Sequence, residues 1–285
     1  MHEKMSPTKI NFKNIPVQAR IISNIINIDI DSYKCFFELD NLISSDQGVA
    51  SLVLRVVNSP IYSRGNKVAT IPLAISLLGY SVVRSLALLA FSRSLFSQTK
   101  NTIFRLHIWQ HSLLTAIASQ TICHKLGLDK LDDEAFIAGL MHDTGKVLMF
   151  THSPSAYENV FKYIFEHNCK SIESETKYFG FDHCQVGLEA TREWKLPARF
   201  NDYMGADLTT PQPHQLTDVV LQSLIAGHYL IKSAGIGANP INDLETKRNT
   251  LISLGLKPEL SDYLLHDQFI ADLKKNETYQ LCATI

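Results

Sequence analysis

Apolar residues recur along most of this chain at intervals of three and four, the spacing that gathers side chains on one face of a helix. Between Val17 and Ile28 the stripe is Ile21, Ile22, Ile25, Ile26 and Ile28. Between Asp46 and Val57 it is Val49, Leu52, Val53, Val56 and Val57. Strict alternation, the mark of a half-buried strand, is scarce. Gly79, Gly127, Gly180, Gly205, Gly235 and Gly255 each follow such a stretch, where a left-handed residue closes a helix. Ser153-Pro154 reads as a helix start and Asp182-x-x-Gln185 as a capping box, while Pro72, Pro197 and Pro258 suit first turns. The pattern predicts an all-α chain with helices over 17–28, 32–44, 46–58, 71–78, 81–97, 102–126, 131–149, 154–167, 171–179, 183–194, 197–204, 214–234, 244–254 and 258–274.

Two breaks divide this series. Asn58–Lys67 is rich in Asn, Ser, Pro and Gly, and Ser97–Asn101 is polar between two long apolar helices. They predict one helical lobe over 14–100, a second over 101–240 packed against it, and a helical appendage over 241–285. Asn58 and Ser59 are expected to cap the loop that follows them, with Tyr62 as its anchor. Arg55, Arg64, Lys67, Arg84 and Arg93 surround that loop in sequence and read as a solvated face with local ion pairs, or as a phosphate contact.

Composition narrows the function. The 285 residues are 45% hydrophobic and 19% charged, a globular balance. Leu86–Phe91, flanked by Arg84 and Arg93, is far too short to span a bilayer, and Met1–Lys13 lacks a signal-peptide pattern, so a cytoplasmic protein without membrane contact is expected. Twenty-seven Lys and Arg against 28 Asp and Glu give a formal charge of −1, which disfavours nucleic acid as a partner. Five scattered cysteines without a Cys-x-x-Cys pair read as reduced thiols. The unusual count is 11 histidines, the commonest metal-ligand type.

The informative hexapeptide is Met141-His142-Asp143-Thr144-Gly145-Lys146. Adjacent His and Asp can reach one divalent metal with nitrogen and oxygen, and an aspartate can bridge two. Lys146 follows within a turn and can neutralise a phosphate or pair with Asp143. His111 lies one helix earlier and His183 sits at a later helix start. The same residues could equally form a hydrogen-bonded polar core without metal.

Together these motifs resemble the HD phosphohydrolase superfamily, and further motifs resemble its HDOD family, the HD-related output domains of bacterial signalling proteins. They are Leu54-Arg55-Val56-Val57-Asn58-Ser59-Pro60, Ile71–Gly79, Phe179-Gly180-Phe181-Asp182-His183 and Trp194-Lys195-Leu196-Pro197. The resemblance covers about 15–236 and implies an all-α fold with a second, HD-like lobe. It implies metal ligation by His111, His142, Asp143 and His183. His228 stands where metal-dependent relatives carry a closing aspartate.

The sequence also departs from those relatives. Where they carry paired histidines after the Leu-Pro, this chain reads Asn201-Asp202-Tyr203-Met204, and no histidine occurs between His183 and His214. The resemblance therefore implies a non-catalytic signalling output or scaffold module that binds a signalling protein or a small ligand. Its degenerate site would hold one divalent metal (iron, manganese, zinc or nickel) or none. The rival expectation is a metal-dependent phosphohydrolase, with Asp143 and Lys146 as the catalytic residues. Of the other histidines, His107 could share a face with His111. His124 and His2, His152, His167, His214 and His266 are expected at the surface.

Overall fold

The computed structural model describes residue 10 and residues 17–59, 67–96 and 101–282. Among these there is no strand, and the fold is all-α. The first lobe holds α1 (Val17–Ile26), α2 (Cys35–Ser44), α3 (Gln47–Val57), α4 (Ile71–Leu78) and α5 (Tyr80–Phe96). The caps are local. Asp46 accepts from the Val49 amide at the start of α3, and Thr70 accepts from Leu73 with Pro72 in the first turn of α4. Gly79 then takes φ +88°, which a side chain would resist. Asn58 bridges the chain ends as expected, donating to the Leu54 and Val68 carbonyls and accepting from the Val68 amide. The Ser59 hydroxyl is buried without a partner. Tyr62 and Arg64 lie outside the described residues. Arg84 donates to the Ile25 and Ile26 carbonyls and so ties the end of α1 to α5.

The second lobe begins with α6 (Thr102–Phe104) and a π-helical stretch, Arg105–Gln110, that runs into α7 (His111–Lys125). Next come α8 (Asp132–Met141), α9 (Thr144–His152), α10 (Pro154–His167), α11 (Ser171–Phe179), α12 (His183–Glu193), α13 (Phe200–Gly205) and α14 (Val219–Ser233). Helices α7, α8 and α14 pack on one another and form its centre, and α8 also packs on α5, joining the lobes. Residues from Val49 in α3 to Leu224 in α14 share one apolar core. The chain ends in α15 (Leu244–Ser253), α16 (Pro258–Leu265), α17 (Asp267–Lys275) and α18 (Glu277–Cys282). This appendage is docked: α17 packs on α7, and Tyr279 donates to Gln110 at 3.1 Å.

Several boundaries differ from the sequence expectation, for physical reasons. The single helix expected over 131–149 is broken at His142-Asp143 into α8 and α9. Both halves are buried on most sides, so the apolar pattern continues straight across the break. The helix expected from Pro197 starts at Phe200, and Gly205 stays inside α13 while Ala206 ends it. The helix expected over 258–274 breaks at His266. The capping box at Asp182 and Gln185 is present, but the Ser153 side chain makes no cap. Four free thiols are described, Cys35, Cys123 and Cys184 buried and Cys169 half-buried. No helix among the described residues is long and apolar enough to cross a membrane.

Candidate metal centre

The break between α8 and α9 builds the site. It turns His142, at the end of α8, and Asp143, at the head of α9, toward the first turn of α7 and the middle of α14. His111 opens α7, and His228 lies one turn from the end of α14. Three ring nitrogens meet. His111 Nε2 and His142 Nε2 are 3.3 Å apart, and His228 Nδ1 lies 3.2 Å from the first and 3.1 Å from the second. Asp143 presses its carboxylate against them, with Oδ1 3.4 Å from His142 Nε2 and Oδ2 3.7 Å from His111 Nε2. All four side chains are buried.

Proton accounting shows what this cluster lacks. His111 Nδ1 lies 2.9 Å from the Ile236 carbonyl and His142 Nδ1 lies 2.7 Å from the Gly139 carbonyl. A carbonyl only accepts, so each Nδ1 carries the proton. Burial lowers the pKa of all three rings and favours their neutral forms. The Nε2 atoms of His111 and His142 therefore face each other as bare lone pairs. His228 Nδ1 can donate to one of them, and the other stays unsatisfied. If His228 instead carries its proton on Nε2, which is buried without a partner, three lone pairs converge. Either arrangement leaves a buried acceptor that a cation would complete. Zinc–nitrogen bonds of about 2.0–2.1 Å set tetrahedral ligand edges near 3.3–3.4 Å, close to the observed triangle. The residues present fit one metal.

Lys146 sits beside this group, its ammonium 2.9 Å from Asp143 Oδ1 and 3.0 Å from Oδ2, donating to the latter. Burial alone would raise Asp143; the electrostatic influence of the His142 ring beside it and of the Lys146 ammonium outweighs burial and holds the carboxyl well below its ordinary range. Burial would lower Lys146, but Asp143 and Glu175 keep it raised.

His183 is placed differently from the other candidate ligands. Its Nδ1 lies 2.5 Å from Glu175 Oε2, which also accepts from the His183 amide at 2.9 Å, and Tyr157 donates to Glu175 Oε1 at 2.5 Å. The ring is thus clamped to α11, in the wall of a narrow pocket above the three-histidine cluster. Lys170, Asp207, Thr209 and Lys232 are among the other residues of that wall, and its free interior is about 10 Å³, room for one water or ion. Lys232 is pushed down to about 8 by burial and by Lys146. Asn201 and Asp202 are exposed outside it.

Glu175, Tyr157, Lys232 and the Ile236 carbonyl were not legible as site residues. Two had a signal. Lys232 follows His228 by one helical turn, and Glu175 lies on the face of α11 that buries Ser171 and Phe179. Ile236 acts through its backbone, which no side-chain pattern reports. The neighbouring Gly237 amide donates to His107 at 3.0 Å, so one loop holds both histidines of the π-helical segment and α7. The peripheral histidines lie as expected: His124 pairs with Asp129 and Asp132 at the surface, and His152, His167, His214 and His266 are exposed. His2 lies outside the described residues.

Residues 15–207 match the HDOD domain family. The chain belongs to the HDOD family. Solved structures agree on the HDOD fold. An HDOD domain protein of unknown function from Geobacter sulfurreducens superposes with a TM-score of 0.71 at 22% identity, covering 91% of each chain. A protein provisionally named a signal transduction protein, from Marinobacter aquaeolei VT8, gives 0.68 at 18% identity, over 94% of this chain and 58% of that one. One provisionally named a phosphohydrolase, from Shewanella amazonensis SB2B, gives 0.66 at 17%, over 96% and 98%. At these identities the likeness is one of fold. An uncharacterized protein of Treponema pallidum (strain Nichols) is 21% identical over 156 residues, which is 55% of this chain and 30% of that protein, so the match spans under a third of the relative's length.

Proposed function

We propose that this chain is a signal-transduction output module that works by binding a protein or small ligand, with one divalent metal organising its histidine cluster. The supporting observation is the convergence of three neutral imidazoles on one point, with the Asp143 carboxylate against two of them. His111, His142, His228 and Asp143 would hold the metal, with His183 in the pocket wall beside it. The donor set suits iron, manganese, zinc or nickel, and the bound ion would supply Lewis acidity and fix the four elements that meet there. A hydrolytic pair of metals needs bridging carboxylates, and among the described residues Asp143 is the one carboxylate paired with the converging histidines. In this reading 14–100 and 101–240 act as one unit in the cytoplasm, and 241–285 buttresses it.

A second reading, a metal-dependent phosphohydrolase, is favoured by the lysines 146, 170 and 232 around the pocket, which could meet a phosphate. Asp143 and Lys146 would then be catalytic. The test is metal analysis of the purified protein, followed by calorimetric titration of zinc, manganese and iron(II) into stripped wild type and His228→Ala. One site per chain, lost in the variant, is expected. Failure of wild type to bind any of these ions overturns the metal assignment. Turnover of cyclic dinucleotides or phosphomonoesters, abolished by Asp143→Ala, overturns the binding role in favour of the enzyme.

A further inference from the structure

The pocket above the histidine cluster is lined by hydrogen-bond donors that a metal on the imidazoles leaves without acceptors. Lys232 reaches into it from α14, one turn beyond His228, with most of its length enclosed. Lys170 stands exposed at the mouth, just before α11. Ser171 and Ile172, in the first turn of α11, line the side.

Each of these groups lacks a counterpart. Lys232 makes no ion pair or hydrogen bond among the described residues, and burial and Lys146 push it down to about 8. The two carboxylates of the pocket wall are engaged elsewhere. Asp143 holds Lys146, its oxygens 2.9 and 3.0 Å from the ammonium. Asp207 accepts from the Thr209 amide at 2.9 Å, from the Thr209 hydroxyl at 2.6 Å and from the Thr210 hydroxyl. At α11 the residue before the first turn is Lys170, whose side chain only donates. The Ser171 and Ile172 amides, at the positive end of a nine-residue helix, therefore have no acceptor among the described residues. An enclosed ammonium, a second one at the mouth and an uncapped helix head are the donor set of an anion site. The enclosed interior of about 10 Å³ admits one oxygen-sized atom. A ligand thus enters by the tip of its charged head, and its body stays in the mouth beside Lys170.

We propose that this pocket binds the oxyanion head group of a small ligand, a phosphoryl or carboxylate group held by Lys232, Lys170 and the first turn of α11. The proposal rests on the small-ligand form of the binding role above. It needs no metal, since none of these groups belongs to the histidine cluster. Nor does it need turnover, since the donors hold the head group and none of them activates water.

The experiment is calorimetric titration of inorganic phosphate and of acetate into the full chain, in chloride-free buffer, with metal stripped so that no cation takes the anion. One phosphate per chain is expected. Lys232→Met should raise its dissociation constant at least ~10-fold, the loss of a charged hydrogen bond in an enclosed site. Lys170→Met, at the exposed mouth, should raise it about two- to three-fold. Without phosphate, Lys232→Met should resist urea at least as well as wild type, because it removes an enclosed charge that has no counterion; weakened binding is then not lost folding. Acetate binding with the same dependence on Lys232 supports the site and extends it to carboxylates, whereas phosphate binding alone assigns it to phosphoryl groups. No binding of either anion at about 10 mM, binding that survives Lys232→Met, or a Lys232→Met chain less stable than wild type each overturns the proposal. A chain that takes zinc but neither anion refutes this site and leaves the metal centre and protein binding standing.

Discussion

Replacing Lys146 with methionine keeps the side-chain volume and removes the cation beside Asp143. The two side chains are 4% and 1% exposed and separated by 2.9 Å, so bulk water cannot solvate the carboxylate left behind. Breaking a buried pair from one side costs about 3–5 kcal/mol. At about 2–4 °C per kcal/mol for chains of this order, the metal-stripped variant should melt about 6–20 °C lower at pH 7. The pH dependence has a definite sign. Lys146 is raised, so its contribution is complete below its unfolded value and fades as pH climbs through the raised one. Asp143 is depressed, so its contribution is present above its unfolded value and fades as pH falls through the depressed one. Neutral pH lies inside both windows. In Lys146→Met the orphaned carboxylate can take a proton, and the deficit against wild type should shrink toward acid. Lys146→Met/Asp143→Asn should recover most of the loss. Thermal and urea unfolding of the stripped single and double variants measures this. A Lys146→Met cost under about 1 kcal/mol at pH 7, or a double variant no better than the single, would refute the reasoning.

Three further outcomes follow from the geometry. A Cβ on Gly145 would lie 2.0 Å from the His183 carbonyl oxygen, so Gly145→Ala must part α9 from α12 and should lose at least about 2 kcal/mol in urea unfolding. Asp182→Ala removes the capping box of α12 and should cost about 1 kcal/mol by the same measurement. Gly237 has φ +93° and a Cβ there would lie 3.0 Å from His111 Nδ1, so Gly237→Ala should displace the carbonyl that orients His111. Zinc affinity by calorimetry should fall about 10–100-fold.

The fold was legible because its signals are local. Stripes at helical spacing, the Asp182 box and the Asn58 bridge each declare themselves within a few residues. The break at His142-Asp143 was not, because burial on both sides erases the polar face that would mark a helix end. For the site, residue type was a sound guide where a side chain converges by its own chemistry, as with His111, His142, Asp143 and His228. It could not separate His183 from them. The sequence carries the histidine, but what holds its ring is Glu175, on the helix before it and eight residues away. The loop carbonyl of Ile236 was beyond reach, since its identity matters less than its position.

That position has a consequence for where the module ends. The family match stops at residue 207, whereas His228, Lys232, Ile236 and Gly237 all come later in the chain. A fragment cut at the family boundary would keep the diagnostic motifs yet lose one of the three converging imidazoles and the strut behind another. The segment matched by the family and the unit that assembles the histidine cluster are thus not coextensive. A graft of the cluster into another protein has to carry α14 and the loop after it.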